Sequence, residues 1–165
     1  MSTLQSLFAH KAGSNNELFN LLATVTSEQH AGPIHTAMRT LNHIYVVDRI
    51  FQAHLLGEPH GYAATNTDAT PELDELQFQV AETDAWFVTY AAGVSNAQLS
   101  ERITFRFTDA DAGAMTREEM LLHVITHGAY HRGNVGQILK SIAIAPPRDL
   151  YTRFLHASEP ARRLA

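Results

Sequence analysis

The sequence contains no cysteine, which excludes disulfide bonds, thiolate metal ligands and a cysteine nucleophile. It also lacks any stretch of about 18 uncharged apolar residues, the length that a membrane-spanning helix needs, and its N-terminus has no basic region ahead of an apolar one. Positive charge is scarce, because 12 Lys and Arg stand against 17 Asp and Glu for a formal net charge of -5. We therefore expect a cytoplasmic protein that binds neither a membrane nor nucleic acid.

What the chain does have is enough apolar residues for a packed core, since 45% of its 165 residues are hydrophobic. No internal repeat, low-complexity run or long linker divides it, so we interpret residues 1–165 as one domain. Ten histidines are many for this length, and three of them recur at a regular interval.

Apolar residues at three-to-four spacing predict two long helices in the N-terminal third. In the first, over residues 4–25, the polar SNNE at 14–17 is either a capping box that restarts a helix or a polar patch in one continuous helix. We favour the continuous helix. The second runs from Pro33, which suits a first helical position, to Gly57, which marks a stop.

A third helix and a strand follow. The helix opens at Thr70-Pro71, with carboxylates in its first turn, and runs to about Gly93. Residues 101–108, ERITFRFT, alternate apolar and polar side chains, which is the pattern of a short strand. The turn-rich DADAG at 109–113 allows Ala114-Met115 to pair back as a brief hairpin.

The last long helix has signals at both ends. Thr116 and Glu119 form a capping-box pattern at its start, and Pro146-Pro147 must end it. Only one clear strand signal occurs, and strands do not alternate with helices. The sequence therefore predicts an all-α fold, a four-helix bundle with a small β-hairpin before the last long helix.

Within this last helix, the segment HVITHGAYHRGNVGQIL at 123–139 places His123, His127 and His131 four residues apart. Random placement of the histidines would give only about 0.03 such triplets, so the interval is informative. Each step of four residues turns about 40° around a helix. Neighbouring members of the run can therefore share one ion, whereas the outer two are poorly placed to do so.

His127 and His131 are the better pair of ligands. They fall on one helical stripe with apolar residues that should face the bundle interior, namely Met120, Val124, Val135 and Ile138. Two imidazoles on a buried apolar face cannot easily both carry charge, and a divalent cation is a common reason for placing them there. His123 lines up with a more polar edge, so we interpret it as a neighbour of the ligands.

Without cysteine, the third ligand must be histidine, carboxylate or water, and the best candidate is His43. It lies in LNHIYVVDRIF at 41–51, on a largely apolar face of the second helix, which a bundle can bring next to the last helix. The alternative is a core histidine that hydrogen-bonds a backbone carbonyl. Asp48 is the nearest acid, but it lies off that face and is expected only to support a ligand.

These segments resemble the DinB/YfiT-like family, a group regarded as metalloenzymes. The HxxxHRG element at 127–133 is the specific part of the resemblance, and LNHIYVVDRIF and the first-helix segment LQSLFAHKAGSNNELFNLL support it. Together they cover most of the chain in the expected order. The resemblance implies a four-helix bundle, commonly a homodimer, with three histidine ligands from the second and last helices. By motif position these ligands are His43, His127 and His131.

Two positions depart from the family pattern. Asn134 stands where Gln usually follows HRG, and the segment KAGSNNEL lacks the aromatic residue common in the first helix. Neither change removes a ligand. Both alter the expected pocket wall, so no substrate carries over from a relative.

Three neutral imidazoles leave a divalent ion its full charge and an open position, the arrangement of catalytic zinc sites. We therefore hypothesise a metal-dependent enzyme that acts on a small molecule. It is either a hydrolase that uses metal-bound water or, as the family resemblance suggests, a transferase that uses the metal-bound thiolate of a low-molecular-weight thiol cofactor. The alternative is a non-catalytic metal-binding or assembly protein. Zinc or nickel is favoured, although imidazole also suits iron and copper.

No residue is assigned a catalytic role from the sequence. Tyr130, Arg132 and Asn134 are candidates to face a substrate, and for Arg132 a surface or structural ion pair is the favoured interpretation. DNA binding is suggested only by the family's damage-inducible name, which describes expression and not contact.

Overall fold

The computed structural model describes residues 1–164 and shows, within that range, four long helices, two short ones and a two-stranded antiparallel sheet. The elements are α1 (Thr3–Leu22), α2 (Ala31–Leu56), α3 (Leu73–Gly93), α4 (Asn96–Leu99), β1 (Arg102–Arg106), β2 (Ala112–Thr116), α5 (Arg117–Ser141) and α6 (Tyr151–Ser158). None of these helices combines the length and apolarity needed to cross a membrane. The predicted all-α fold, with a small hairpin before the last long helix, is confirmed.

Helix α1 is continuous, as predicted. The SNNE segment does not restart it, and one of its polar side chains, Asn15, is used inside the bundle. Asn15 is buried and donates through Nδ2 to Asp84 Oδ2 of α3 at 2.7 Å. The helix ends at Leu22, earlier than the predicted limit of residue 25.

Helix α2 begins at Ala31, directly after a 3-10 turn, and not at Pro33. Pro33 is tolerated inside the first turn because the first four N–H groups of a helix have no intrahelical acceptor. The predicted stop at Gly57 is confirmed, since this residue takes the left-handed conformation, with φ 72°, that favours glycine.

Helix α3 begins slightly later than the sequence predicts, at Leu73 and not at Thr70-Pro71. The Thr70 hydroxyl contacts Nε2 of His35 on α2 at 3.2 Å, so the chain at this point is still packed along α2. The carboxylates that follow, Asp74 and Glu75, lie in the first turn as predicted, where they complement the helix dipole.

Helix α5 has the predicted capping box, in which Thr116 and Glu119 each bond the other's backbone N–H. It ends at Ser141, several residues before Pro146-Pro147. The chain leaves the helix through Ala143, which has a positive φ of 59°. The proline pair therefore prevents any restart of the helix but does not define its end.

Strand β1 pairs with β2 along its whole length. The returning strand β2 is therefore longer than the predicted residues 114–115. Phe105 packs into the core, whereas Phe107, predicted for the same face, is exposed beyond the end of the strand. Helices α4 and α6 have four and eight residues. Neither is predicted, because a 3.6-residue period does not stand out over so few positions.

Two apolar clusters fill the interior, with α2 packed mainly on α5 and α1 mainly on α3. One cluster includes Phe8, Val47, Phe51, Phe87 and Val124, and the other includes Leu18, Leu41, Ile44, Val80 and Val135. In α1, α3 and α5, buried polar residues come between the two clusters along the helix. We call these residues, together with Asp48 of α2, the polar layer; its members are Lys11, Asn15, Asp48, Asp84 and Arg132.

Candidate metal centre

The pairing of α2 with α5 brings His43 next to His127 and His131. The centroid of the His43 ring lies 4.9 Å from that of His127 and 4.6 Å from that of His131, and the two α5 rings are 4.5 Å apart. One nitrogen from each ring can be chosen so that all three lie within 4.8 Å of one another. The three half-buried histidines thus meet at one place in the fold, and the group could hold a metal ion.

The closest pair of nitrogens suits a shared ion. Nε2 of His127 and Nε2 of His43 are 3.0 Å apart. Two imidazole nitrogens bound to the same tetrahedral zinc at about 2.0–2.1 Å are separated by about 3.3 Å, so small ring rotations would admit the ion. Without an ion, the same two atoms make an N–H···N hydrogen bond.

The loop between α2 and α3 orients the His43 ring. Nδ1 of His43 lies 2.7 Å from the carbonyl oxygen of Thr65, and because a carbonyl can only accept, Nδ1 is the protonated nitrogen. Nε2 of His43 is left without a proton and faces α5. The sequence left two interpretations of His43 open, a metal ligand and a histidine that hydrogen-bonds a backbone carbonyl. The two are compatible, because Nδ1 bonds the carbonyl and Nε2 faces the α5 histidines.

Asparagine side chains hold this loop in place. Asn42, which is fully buried, donates to Asn66 Oδ1 and to the Thr67 hydroxyl, the latter at 2.6 Å. Asn66 in turn donates to the carbonyl oxygen of Arg39 at 3.0 Å. The position of the Thr65 carbonyl, and with it the His43 ring, is thus fixed by hydrogen bonds to α2 itself.

His123 stands beside the three histidines but outside the group. Its ring stacks on His127, with centroids 5.4 Å apart, and on Phe51, with centroids 4.6 Å apart. The ring therefore forms part of the wall between the histidine group and the apolar core.

Burial favours the uncharged form of these rings, which is the form that binds a metal. Burial, followed by the charges of the neighbouring imidazoles, lowers the pKa of His127 from 6.5 to about 3. Burial also lowers the pKa of His131, with a further contribution from His43, and it lowers the pKa of His123. At neutral pH the three α5 rings are uncharged in the metal-free protein.

Of the three residues predicted to face a substrate, one is buried in an ion pair and two are exposed beside the histidine group. Arg132 is buried and its Nε donates to Asp149 Oδ2 at 2.7 Å, so it holds the structure together, as favoured from the sequence. Tyr130 is 69% exposed, with its ring edge-on to His131. Asn134 is also exposed, with Nδ2 3.5 Å from His131 Nδ1. Tyr130 and Asn134 thus border the histidine group from the solvent side.

A buried ion-pair network lies behind the histidines and is not predicted from the apolar periodicity. Lys11 is 1% exposed, and its Nζ donates to Asp48 Oδ2 at 2.7 Å and to Asp84 Oδ1 at 2.6 Å. Lysine is almost never fully buried unless it is paired, so it is normally assigned to the surface. A signal was present, because Lys11 and Asn15 occupy core positions of the stripe Leu4, Phe8, Leu18 and Leu22.

The network holds two carboxylates against one lysine. Burial raises the pKa of Asp48 to about 6. The positive charge of Lys11 lowers this pKa, and the negative charge of Asp84 partly offsets the effect of Lys11. Burial lowers the pKa of Lys11, but the two carboxylates outweigh it and the pKa is raised overall. Lys11 is therefore charged at neutral pH, and Asp48 is an ion-pair partner as well as the acid nearest to His43 in the sequence.

Comparison with known proteins agrees with the motif-based resemblance. The family model described as DinB family matches residues 1–163. Protein DinB of Bacillus subtilis (strain 168) is 23% identical over 162 residues, which cover 90% of this chain and 91% of that protein. Because the family model spans nearly the whole chain, the chain belongs to the DinB family.

Proposed function

We propose that the protein binds one divalent cation, zinc or nickel, through His43, His127 and His131, and that it uses this ion as an enzyme acting on a small molecule. One observation carries the proposal. Two different helices present three imidazole nitrogens within 4.8 Å of one another, in surroundings that keep the α5 rings uncharged.

The composition of the group favours a catalytic over a structural ion. Structural zinc sites are closed by four protein ligands, whereas three protein ligands leave a position for water or substrate. Among residues 1–164, no fourth histidine or carboxylate completes the group. The three side chains are half-buried, so the group is reachable from solvent. When bound, a divalent ion of this kind lowers the pKa of a coordinated water or thiol.

The residues around the group are compatible with a hydrolase and with a thiol transferase. A hydrolase gains from a carboxylate or imidazole near the open position that can move a proton. His123 is the additional imidazole closest to the group, and it packs on His127. A transferase needs groups that position a thiol cofactor, for which the exposed Tyr130 and Asn134 are candidates. Both reactions remain within the proposal.

A non-catalytic metal-binding protein is the second candidate. It is favoured by one observation: Asp48, the acid nearest to His43 along α2, is buried and ion-paired with Lys11 through Oδ2, so it is not exposed to a substrate as a general base would be.

Metal removal separates the two candidates. We expect tag-free protein to contain one divalent ion per chain, and we expect chelation to leave the far-UV circular dichroism spectrum unchanged, because two apolar clusters hold the bundle without the ion. Hydrolase and thiol-transfer activities should then be assayed on the loaded, stripped and zinc-restored protein. A catalytic ion gives activity that is lost and restored with zinc. Unfolding on chelation would instead assign the ion a structural role.

A further inference from the structure

Two buried polar atoms, one on each of the packed helices α2 and α5, lack a hydrogen-bond partner. One is Nδ1 of His127, and the other is Oδ1 of Asp48, whose side chain is 3% exposed. Neither atom has a partner within residues 1–164. The other oxygen of Asp48 bonds Lys11, and the other nitrogen of His127 contacts His43. Burying a polar group without a partner is costly, so each atom calls for an explanation.

The proton of His127 must change position when a metal binds. Because His43 carries its proton on Nδ1, its Nε2 can only accept, and the 3.0 Å contact makes His127 Nε2 the donor in the metal-free protein. A nitrogen that binds a cation cannot keep its proton. Binding through Nε2 of His127 therefore moves the proton to Nδ1, and the ring stays neutral. The buried, unpartnered Nδ1 then becomes a donor that needs an acceptor.

Lys11 links the carboxylate of Asp48 to the turn of α5 that carries His127. A side chain at Gly128, the residue after His127, would place its Cβ 3.2 Å from Cε of Lys11, so the lysine runs directly under this turn of α5. The charge of Lys11 is also one of those that lower the pKa of His127. Since Lys11 Nζ is 2.7 Å from Asp48 Oδ2, the lysine that runs under the His127 turn also carries a buried carboxylate.

We infer that Asp48 is a positioning residue for His127. In the metal-loaded protein its Oδ1 accepts the His127 Nδ1 proton across one buried water molecule. This inference rests on the proposed binding of a cation by the three histidines. Histidine ligands characteristically donate their second N–H to a carboxylate, a carbonyl or water. The Thr65 carbonyl accepts the second N–H of His43, and we assign Asp48 the same role, through water, for His127. A water between the two unpartnered atoms satisfies both of them at once.

The test compares Asp48→Asn with Asp84→Asn. Both substitutions remove a buried carboxylate from the same lysine, so they share the damage to the ion-pair network. They differ at the second oxygen, because Asp84 Oδ2 already accepts from Asn15, whereas Asp48 Oδ1 has no partner. An asparagine at position 48 keeps its oxygen on Lys11 and turns its NH2 group toward His127, which replaces the acceptor for the bridging water with a second donor.

Zinc affinity, measured by competition with a chelator, is expected to fall about 10- to 100-fold in Asp48→Asn. In Asp84→Asn it is expected to change by about threefold at most. Equal losses in the two variants would overturn the inference while leaving zinc binding by the histidines intact. Failure of the unaltered protein to bind zinc would overturn the proposed function itself, and the inference with it.

Ring 15N spectra of the unaltered protein supply a second readout that does not depend on how well a variant folds. Zinc is expected to convert His127 from the Nε2–H to the Nδ1–H tautomer, and the new proton should exchange slowly because it is buried and bonded. A ring that keeps its Nε2 proton in the zinc-loaded protein, or an Nδ1 proton that exchanges at the rate of an exposed imidazole, would contradict the assignment.

Discussion

Replacing His127 by alanine is expected to weaken zinc binding by more than about 100-fold, beyond the effect of losing a hydrogen bond to a ligand. The reason is geometric. The three ring centroids form a nearly equilateral triangle with sides of 4.9, 4.6 and 4.5 Å, so removing the His127 ring leaves only two nitrogen donors for the ion. Chelator competition on tag-free protein measures the change.

His43→Ala and His131→Ala are expected to have effects of the same order, because each removes one of three ligands. His123→Ala is the matched control, since it deletes an equally sized ring that stacks on His127 but stands outside the group. We expect this variant to lose less than about tenfold in affinity. Equal losses at all four positions would show that the choice of ligands is wrong.

Substituting Lys11 by methionine is expected to destabilise the fold by about 3–5 kcal/mol, the usual cost of breaking a buried ion pair. Methionine fills a similar volume, so the loss comes from charge and not from a cavity. Asp48 and Asp84 would then face each other without the cation that lies 2.7 and 2.6 Å from them. Urea unfolding at neutral pH measures the free energy, and a chain that does not fold at all agrees with the expectation.

The sequence contains one other lysine, Lys140, which provides the control. Lys140 is exposed on α5, so Lys140→Met is expected to change the free energy of unfolding by about 0.5 kcal/mol or less. Adding Asp48→Asn and Asp84→Asn to Lys11→Met removes all three charges and should restore part of the lost stability. A Lys11→Met protein as stable as Lys140→Met would contradict the account of the polar layer.

The helices and the hairpin were predictable because their signals are local. The capping box at Thr116 and Glu119, the glycine at position 57 and the alternation of residues 101–108 each depend on a few neighbouring positions. The starts of α2 and α3 and the ends of α1 and α5 were predicted less well. At the start of α3 a tertiary contact, that of Thr70 with His35, accompanies the later beginning.

The meeting of the three histidines was also predictable, but for two different reasons. His127 and His131 share one face of one helix, so their spacing alone brings them together. His43 is 84 residues from His127, and its place in the group followed from the family motif together with the apolar face of α2. Its orientation was not predictable, because that depends on the carbonyl of Thr65 in a loop without periodic signal.

The buried network, like the short helices α4 and α6, was not predicted from the sequence. A lysine inside a bundle is acceptable only when carboxylates from other helices reach it, and here Asp48 and Asp84 come from α2 and α3. Single-helix patterns cannot show such a match. The polar SNNE segment of α1 was ambiguous for the same reason, since the partner of Asn15 lies on α3.

The central claim is that three imidazoles hold one divalent ion, and X-ray absorption on zinc-loaded, tag-free protein tests it most directly. We expect one zinc per chain, with multiple scattering from three histidine rings, nitrogen ligands at about 2.0–2.1 Å and at least one further light ligand. His43→Ala should reduce the histidine count or abolish binding. A protein that takes up no zinc, or whose zinc spectrum is unchanged by His43→Ala, would contradict the claim.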